Sequence, residues 1–372
     1  MIQAPAVVGM HVRDIDTPAL VIDLDALEAN IARMSARMSG TGVSFRPHSK
    51  THKSTAIAAM QLRAGAVGVC CQKVSEAEIM VAGGVRDVFV TNEIVGAPKV
   101  ARLAALARHA RVSVCVDALD NVAALKEAAE RCGSVLHVLV ELNVGANRCG
   151  VDTIGEVLSL AREVVASGSL RFAGVQAYHG PAQHFRAREE RRAAIGAATA
   201  KAREAVALLL ADGIECAVVA GAGTGSHEFE LASGLYTEVQ VGSYVFMDAD
   251  YGRNLDEGGR FVSEFANALF VLATVMSGTA VGRRVVDAGT KALSTDSGMP
   301  VVHGFEGVSY VQANDEHGRL EVAGDAGPAV GEKIRIIPGH VDPTVNLHDW
   351  YVGLRGERVE CVWPVSTRGA LF

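Results

Sequence analysis

Three groups of residues in this chain have the types and spacing to do chemistry together. The first surrounds a lysine, in Arg46-Pro47-His48-Ser49-Lys50-Thr51-His52-Lys53. A lysine amine forms an imine with an aldehyde once burial or nearby cations lower its pKa. Arg46, His48, His52 and Lys53 are cationic candidates around Lys50; the plainer alternative is a surface lysine in a basic turn. The second group is a pair of glycine-rich turns, Gly221-Ala222-Gly223-Thr224-Gly225-Ser226 and Gln240-Val241-Gly242-Ser243-Tyr244. Glycines let backbone amides approach an anion closely, and the Thr224 and Ser243 hydroxyls add donors, which suits a phosphate. Either turn alone is more often just a tight loop. The third is His340-Val341-Asp342. On a strand, residues two apart point to one face, so both side chains could grip one metal ion. Imidazole plus carboxylate with open positions suits Mn²⁺, Mg²⁺ or Zn²⁺, although a hydrogen-bonded turn is the commoner use of such a pair.

The elements that must carry these groups follow from the hydrophobic pattern. Short β-rich runs fall at 43–45, 66–69, 87–90, 112–116, 135–142, 171–177, 216–220 and 238–241. Helical spacing fills 25–38, 54–64, 74–82, 98–109, 120–131, 154–166 and 188–211. Apolar strands alternating with amphipathic helices predict a parallel sheet covered on its outer face, and eight units close a TIM-type (β/α)8 barrel. An open doubly wound sheet is the alternative. Barrel sites form on the loops after the strands' C-terminal ends. Lys50 follows the first strand, and the glycine turns follow the seventh and eighth, where barrels often bind phosphate. A phosphate facing an imine-forming lysine points to pyridoxal phosphate.

Beyond Tyr251 the runs 268–275, 284–286, 307–312, 333–337 and 358–363 are β-like, with Gly, Asp and Pro between them. This predicts an α/β barrel over 25–250 and a second, mainly β domain over 251–372, which the strand-like stretch in 1–24 joins. At 372 residues and 49% hydrophobic, the chain can bury a large core. A net charge of −7 with interspersed signs argues against nucleic acid and against a membrane surface. Residues 1–12 lack a signal-peptide pattern, and no apolar run is long enough to span a bilayer. Seven cysteines without a C-x-x-C pair predict free thiols in a reducing cytoplasm.

At these residues the chain resembles the alanine-racemase-like, fold type III pyridoxal-phosphate enzymes, within them the D-threonine aldolase/D-serine dehydratase group. The likeness runs nearly end to end. It is most specific at 46–53, 68–78 (GVCCQKVSEAE), 174–186 (GVQAYHGPAQHFR), 221–226, 242–252 (GSYVFMDADYG) and 338–350 (PGHVDPTVNLHDW). The resemblance implies that Lys50 is the Schiff-base lysine. It implies that Gln72, Thr224, Gly242, Ser243 and Tyr251 contact the cofactor, with Arg148 and Tyr178 beside its ring. His340 and Asp342 match the metal pair. D-serine dehydratases carry Cys where Asp342 stands, whereas the aldolases carry Asp and use Mn²⁺, Mg²⁺ or similar ions. The stretch from Gln183 to Glu190 looks like D-threonine aldolases; the tail from His348 to Val352, with the WPVS run, looks more like 3-hydroxy-D-aspartate aldolases. Ala222 is a departure, since relatives commonly carry Gly there; a β-carbon is tolerated unless the position needs φ > 0.

The expected reaction is cleavage of a D-β-hydroxy-α-amino acid into glycine and an aldehyde, by a homodimer. The metal would bind the β-hydroxyl, with His184 as preferred general base and His179 second. A dehydratase is the runner-up. A non-catalytic carrier of the cofactor would not need the β domain and its H-x-D pair, and a phosphosugar-binding barrel would show no absorbance from a lysine imine. If the lysine reading holds, the holoprotein is yellow. Borohydride then abolishes its visible band and leaves the modification on Lys50 in a peptide map. A colourless protein that cannot be reconstituted with pyridoxal phosphate contradicts it.

Overall fold

The computed structural model describes residues 3–324 and 327–372; of the N-terminal segment assigned to the β domain, residues 1 and 2 lie outside the described residues. The chain enters on strand β1 (Ala19–Asp23) and helix α1 (Leu24–Met38), whose first turn is capped by the Asp23 carboxylate accepting the Ala26 amide at 3.1 Å. Eight parallel strands follow: β2 (Ser44–Phe45), β3 (Val69–Cys71), β4 (Asp87–Glu93), β5 (Arg111–Val116), β6 (Leu136–Glu141), β7 (Leu170–Gln176), β8 (Val218–Gly221) and β9 (Glu238–Val239). Between them run α2 (Thr55–Arg63), α3 (Val74–Ala82), α4 (Ala97–Leu106), α5 (Leu119–Cys132), α6 (Ile154–Val165), α7 (Arg188–Ala211) and α8 (His227–Ala232).

The ladder runs β2-β9-β8-β7-β6-β5-β4-β3. The two end strands meet through the parallel bridge between His48 and Cys70, and the Val67 amide donates to the Phe45 carbonyl at 2.9 Å. The sheet therefore closes into the expected barrel rather than the open alternative. Six strands each place one residue inside it: Cys70, Phe89, Cys115, Leu139, Ala173 and Ala220 form a buried layer. The Cys70 and Cys115 thiols act there as small apolar groups, and burial pushes both well above the usual thiol range. No helix among the described residues is long and apolar enough to cross a membrane.

After a rim segment come β10 (Leu269–Ser277), β11 (Arg283–Val286), β12 (Val301–His303), β13 (Val308–Ala313), β14 (Gly318–Val322), β15 (Lys333–Ile337), α9 (Val341–Val345), β16 (Trp350–Arg355) and β17 (Arg358–Pro364). With β1 these strands form a nine-stranded sheet, in which β1 lies between antiparallel β10 and parallel β16. Periodicity missed β12, β14 and β16, which are short or broken by Gly, and it missed the six-residue helix α8.

One expectation is corrected outright. The H-x-D pair is not on a strand. His340 is extended at φ −145° and serves as the N-terminal cap residue of α9, while Asp342 sits in that helix's first turn. Pro343 accounts for the change, because proline is favoured in a helix's first turn and cannot donate to a central ladder. The two side chains therefore converge through a helix start, not through strand alternation.

The nine-stranded sheet reaches the lysine loop directly. The hydroxyl of fully buried Tyr351 on β16 donates to the His52 carbonyl at 2.7 Å. Tyr351→Phe strands that carbonyl in the interior, so it should cost about 1–2 kcal/mol, read as a lower urea midpoint at unchanged slope. An unmoved midpoint would show that the bond adds nothing.

Candidate active site

One cavity at the C-terminal end of the barrel gathers most of the residues picked out by sequence. Its lining includes Lys50, Gln72, Arg148, Tyr178, His184, Gly223, Thr224, Gly242, Ser243, Tyr251, His340 and Asp342. Two candidates fall elsewhere. Gly225 faces a neighbouring pocket behind the glycine turn. His179 is buried outside the cavity, where its Nδ1 accepts the Ala182 amide at 3.1 Å. A β-carbon on Gly145 would come within 2.7 Å of His179 Nε2, so the ring is packed beneath the 143–148 loop. With one nitrogen spent and the other covered, His179 is poorly placed to be a base.

The lysine's setting differs from the expected cluster of cations. Arg46 is tied to Glu238 at 2.9 Å and Asp87 at 2.8 Å within the barrel. Lys53 pairs with Glu76. Burial holds His48 well below the usual imidazole range and His52 at about 4, so both are neutral near pH 7. Lys50 Nζ instead lies 3.4 Å from Asp342 Oδ2, and this carboxylate, against the effect of burial, raises the lysine. Its side chain is 42% exposed, so solvent in the cavity screens part of that attraction.

Each remaining group is held from behind. Glu76 accepts the Gln72 amide at 2.9 Å and so fixes the Gln72 turn at the start of α3. The Gln72 side chain reaches His48 Nε2 at 3.0 Å. The first glycine turn rests on a buried chain. Gln183 Nε2 donates to Ser226 Oγ at 2.7 Å, Ser226 donates to Glu230 at 2.8 Å, and Gln183 Oε1 accepts the Gly225 amide at 2.9 Å. The Tyr244 amide donates to Thr224 Oγ1 at 2.9 Å, which joins the two glycine turns. A β-carbon on Gly242 would meet Thr51 Oγ1 at 2.6 Å, so only glycine fits there. Ala222 does sit in the left-handed region, at φ 69°, so the departure at this position carries backbone strain.

His184 Nδ1 is 2.5 Å from Asp250 Oδ2, and Arg186 also pairs with Asp250. Burial works against the ionised Asp250 carboxyl, but these hydrogen bonds bring it down to about 2. An ionised carboxylate can only accept, so His184 Nδ1 carries a proton, and in the neutral tautomer that this fixes, Nε2 is the nitrogen with the lone pair. His340 is oriented in the same way, with Nδ1 donating to Asp296 Oδ2 at 2.9 Å.

The chain offers what the two implied groups need. For a phosphorylated aldehyde, the lysine, the glycine turns and the Thr224 and Ser243 hydroxyls line one cavity, and buried Thr51 Oγ1 and Gln176 Oε1 there lack partners. For a divalent ion, Asp342 Oδ1 is buried without a partner and the Asp296 contact leaves His340 Nε2 free. No cluster of three or more metal-ligating side chains occurs among the described residues, so the pair would leave most coordination positions to water or substrate. Sequence reading gave no role to the Thr91, Gln176 and Gln240 side chains that also line the cavity, though all three stand at barrel strand ends. It also passed over Asp250 and Asp296, for which no spacing rule gives a sign.

Fold and cavity together define an alanine-racemase-like pyridoxal-phosphate protein. Residues 22–250 match the family described as alanine racemase, N-terminal domain, and 268–354 match the putative serine dehydratase domain; the chain belongs to this family. It is similar to a 3-hydroxy-D-aspartate aldolase of Paracoccus denitrificans (strain Pd 1222), 49% identical over 98% of this chain and 95% of the relative. It is also similar to a D-threonine aldolase of an Arthrobacter species, 47% identical over 98% of this chain and 96% of that one. The fold superposes on the crystal structure of D-threonine aldolase from Filomicrobium marinum with a TM-score of 0.97 at 49% identity, covering 99% of this chain and 100% of that one.

Burial pushes Glu230, at the end of the chain behind the glycine turn, up to about 7. Its folded value lies above the ordinary one, so the charged form costs stability progressively as pH rises from about 4.5 through about 7. Glu230→Gln removes that cost and keeps an acceptor for Ser226. Relative to the parent, the variant should gain on the order of 2 kcal/mol between about pH 5 and about pH 8. Denaturant midpoints at the two pH values check this, and a pH-independent difference contradicts it.

Proposed function

We propose that the protein is an aldehyde-lyase that cleaves D-threonine or a related D-β-hydroxy-α-amino acid to glycine and an aldehyde, using pyridoxal phosphate and a divalent ion. Similarity over nearly the full length to D-threonine and 3-hydroxy-D-aspartate aldolases supports the reaction class. The observation that carries the reading is local. Lys50 and Asp342, from the two halves of the chain, lie 3.4 Å apart in one cavity, so amine and metal chemistry would act on one small substrate.

Lys50 would hold the cofactor's aldehyde carbon, with Thr224, Gly242 and Ser243 toward its phosphate and Arg148, Tyr178 and Tyr251 about its ring. Bound there, the cofactor supplies an electron sink for the pair released when the substrate's Cα–Cβ bond breaks. His340 and Asp342 would hold Mn²⁺ or Mg²⁺, whose Lewis acidity lowers the pKa of a β-hydroxyl. His184 Nε2 takes the hydroxyl proton, and Asp250 stabilises the imidazolium formed without changing the ring's orientation. Tyr251 packs against His184 with ring centroids 5.9 Å apart, which restrains the base.

The reading includes a homodimer in the cytoplasm. All seven cysteines are free thiols, which fits a reducing compartment. His184 and Arg148 are about half exposed at the cavity mouth, where a second copy would exclude water.

The test is product analysis with D-threonine and 3-hydroxy-D-aspartate, with and without chelator. Aldehyde and glycine are expected from the D-isomers, and L-threonine should remain intact. Keto acid and ammonia would instead identify a dehydratase. Chelation, or Asp342→Ala, should lower cleavage by at least about a hundredfold while leaving the visible band of the Lys50-bound cofactor in place. Near-normal cleavage without metal, or equal turnover of D- and L-threonine, overturns the proposal.

A further inference from the structure

Behind Arg148 lies a group of ionisable side chains that no step above uses. Glu93, Cys115 and Glu141 stand at or near the C-terminal ends of three adjacent barrel strands, β4, β5 and β6, and Glu93 is in register with Cys115. Both carboxylate oxygens of Glu93 are buried without a hydrogen-bond partner, and Glu141 is only 5% exposed. The strand register sets Glu93 beside Cys115 and Cys115 beside Leu139, two residues before Glu141, so the three residues share one end of the barrel. Arg148 Nη2 lies 3.8 Å from Glu141 Oε1, and its guanidinium stands over the Tyr178 ring at 5.9 Å.

We infer that Glu93 and Glu141 form a carboxyl pair holding one shared proton, and that the pair's single remaining charge positions Arg148 at the cavity wall. Two facing carboxylates in a buried site cannot both ionise cheaply, and acceptor facing acceptor leaves lone pairs unmet until one group carries a proton. One proton supplies the missing donor and leaves a charge of −1, which matches a single guanidinium. Among the described residues Glu141 is the only acidic side chain in ion contact with Arg148. The arginine rides on a braced loop, in which the Asn143 side-chain oxygen accepts the Gly145 amide at 3.1 Å and the Asn147 amide at 3.0 Å. The pair thus sets where the guanidinium points, while the loop sets where it starts. Glu93 and Glu141 are positioning residues that act through Arg148.

Burial, and then Glu93, push Glu141 up to about 8. The other ionisable groups facing the pair are Arg148, Cys115, Cys149 and, behind Cys115, Cys70. Burial keeps the Cys149 thiol at about 11 and holds the Cys70 and Cys115 thiols well above the usual thiol range, so none titrates in the same range.

The assignment rests on reading the cavity as the cofactor and substrate site, so the test needs one arm that does not involve turnover. Difference infrared spectra of the full-length holoprotein between about pH 6 and about pH 10 should show a carboxylic acid band lost with a midpoint near 8. E141Q should abolish it, and E93Q, which removes the neighbouring carboxyl but leaves the burial, should move its midpoint downward. In the kinetic arm, E141Q should lower kcat about tenfold with KM changed less than about twofold. R148K/E141Q should be no slower than R148K, because both changes remove one interaction. The inference fails if the band is missing from the parent protein, if it survives in E141Q, if its midpoint is unmoved in E93Q, or if the kinetic losses of R148K and E141Q simply add. Should E141Q not fold, the parent and E93Q spectra still decide the question. A parent protein that shows the band but cleaves no D-β-hydroxy-α-amino acid would refute the proposed reaction and leave the carboxyl pair supported.

Discussion

Asp248 is fully buried, and each of its carboxylate oxygens accepts a backbone amide from a different part of the chain. Oδ1 takes the Tyr251 amide at 2.9 Å, at the rim of the barrel; Oδ2 takes the Val341 amide at 3.0 Å, at the start of α9. This one side chain joins the cofactor-side loop to the helix start that carries Asp342. Burial pushes its carboxyl up to about 6 despite both amides. That is the cost of fixing two backbone segments with a carboxylate held in the interior. The Lys50–Asp342 contact and the cap at His340 follow from this placement.

The support reaches into the loops that present the cavity's residues. Among the described residues four that are not glycine have positive φ, Lys53 at 47°, Asn147 at 50°, Met247 at 52° and Ala222 at 69°. Lys53 follows the lysine loop, Asn147 precedes Arg148, and Ala222 belongs to the first glycine turn. Backbone of this kind persists only when its surroundings over-determine it. The buried Lys53–Glu76 pair and the Asn143 side chain provide such determination. Rigid strands fix where each loop begins, and polar networks fix how it ends.

The barrel was legible because its signal is repetitive. Eight apolar runs at regular spacing, separated by amphipathic helices, leave little choice of architecture, and strand ends then point to the site. Lys50, Thr224 and Ser243 could be picked out in this way, since each follows a strand in a turn whose chemistry is local. His340 and Asp342 were noticed for a wrong geometric reason: strand alternation was assumed where Pro343 starts a helix. The cationic surroundings inferred for Lys50 failed because sequence adjacency says nothing about which way side chains turn. Arg46 and Lys53 point to Glu238 and Glu76, while the countercharge on Lys50 comes from a residue 292 positions later in the chain. Asp250 and Asp296 were invisible for the same reason, since their partners are brought close only by the fold.

The pairing of β1 with β16 also bears on how the molecule comes into being. β1 emerges early from the ribosome, but its parallel partner is made only after residue 350, and α9 with Asp342 appears just before it. A nascent chain can therefore assemble much of its barrel while β1 still lacks one neighbour and the lysine still lacks its carboxylate. Parallel pairing across so long a stretch carries a large loop-closure cost and comes late. Lys50 and Asp342 therefore meet only after the barrel's own strands have been made, so the second sheet joins the two sides of the cavity late in assembly.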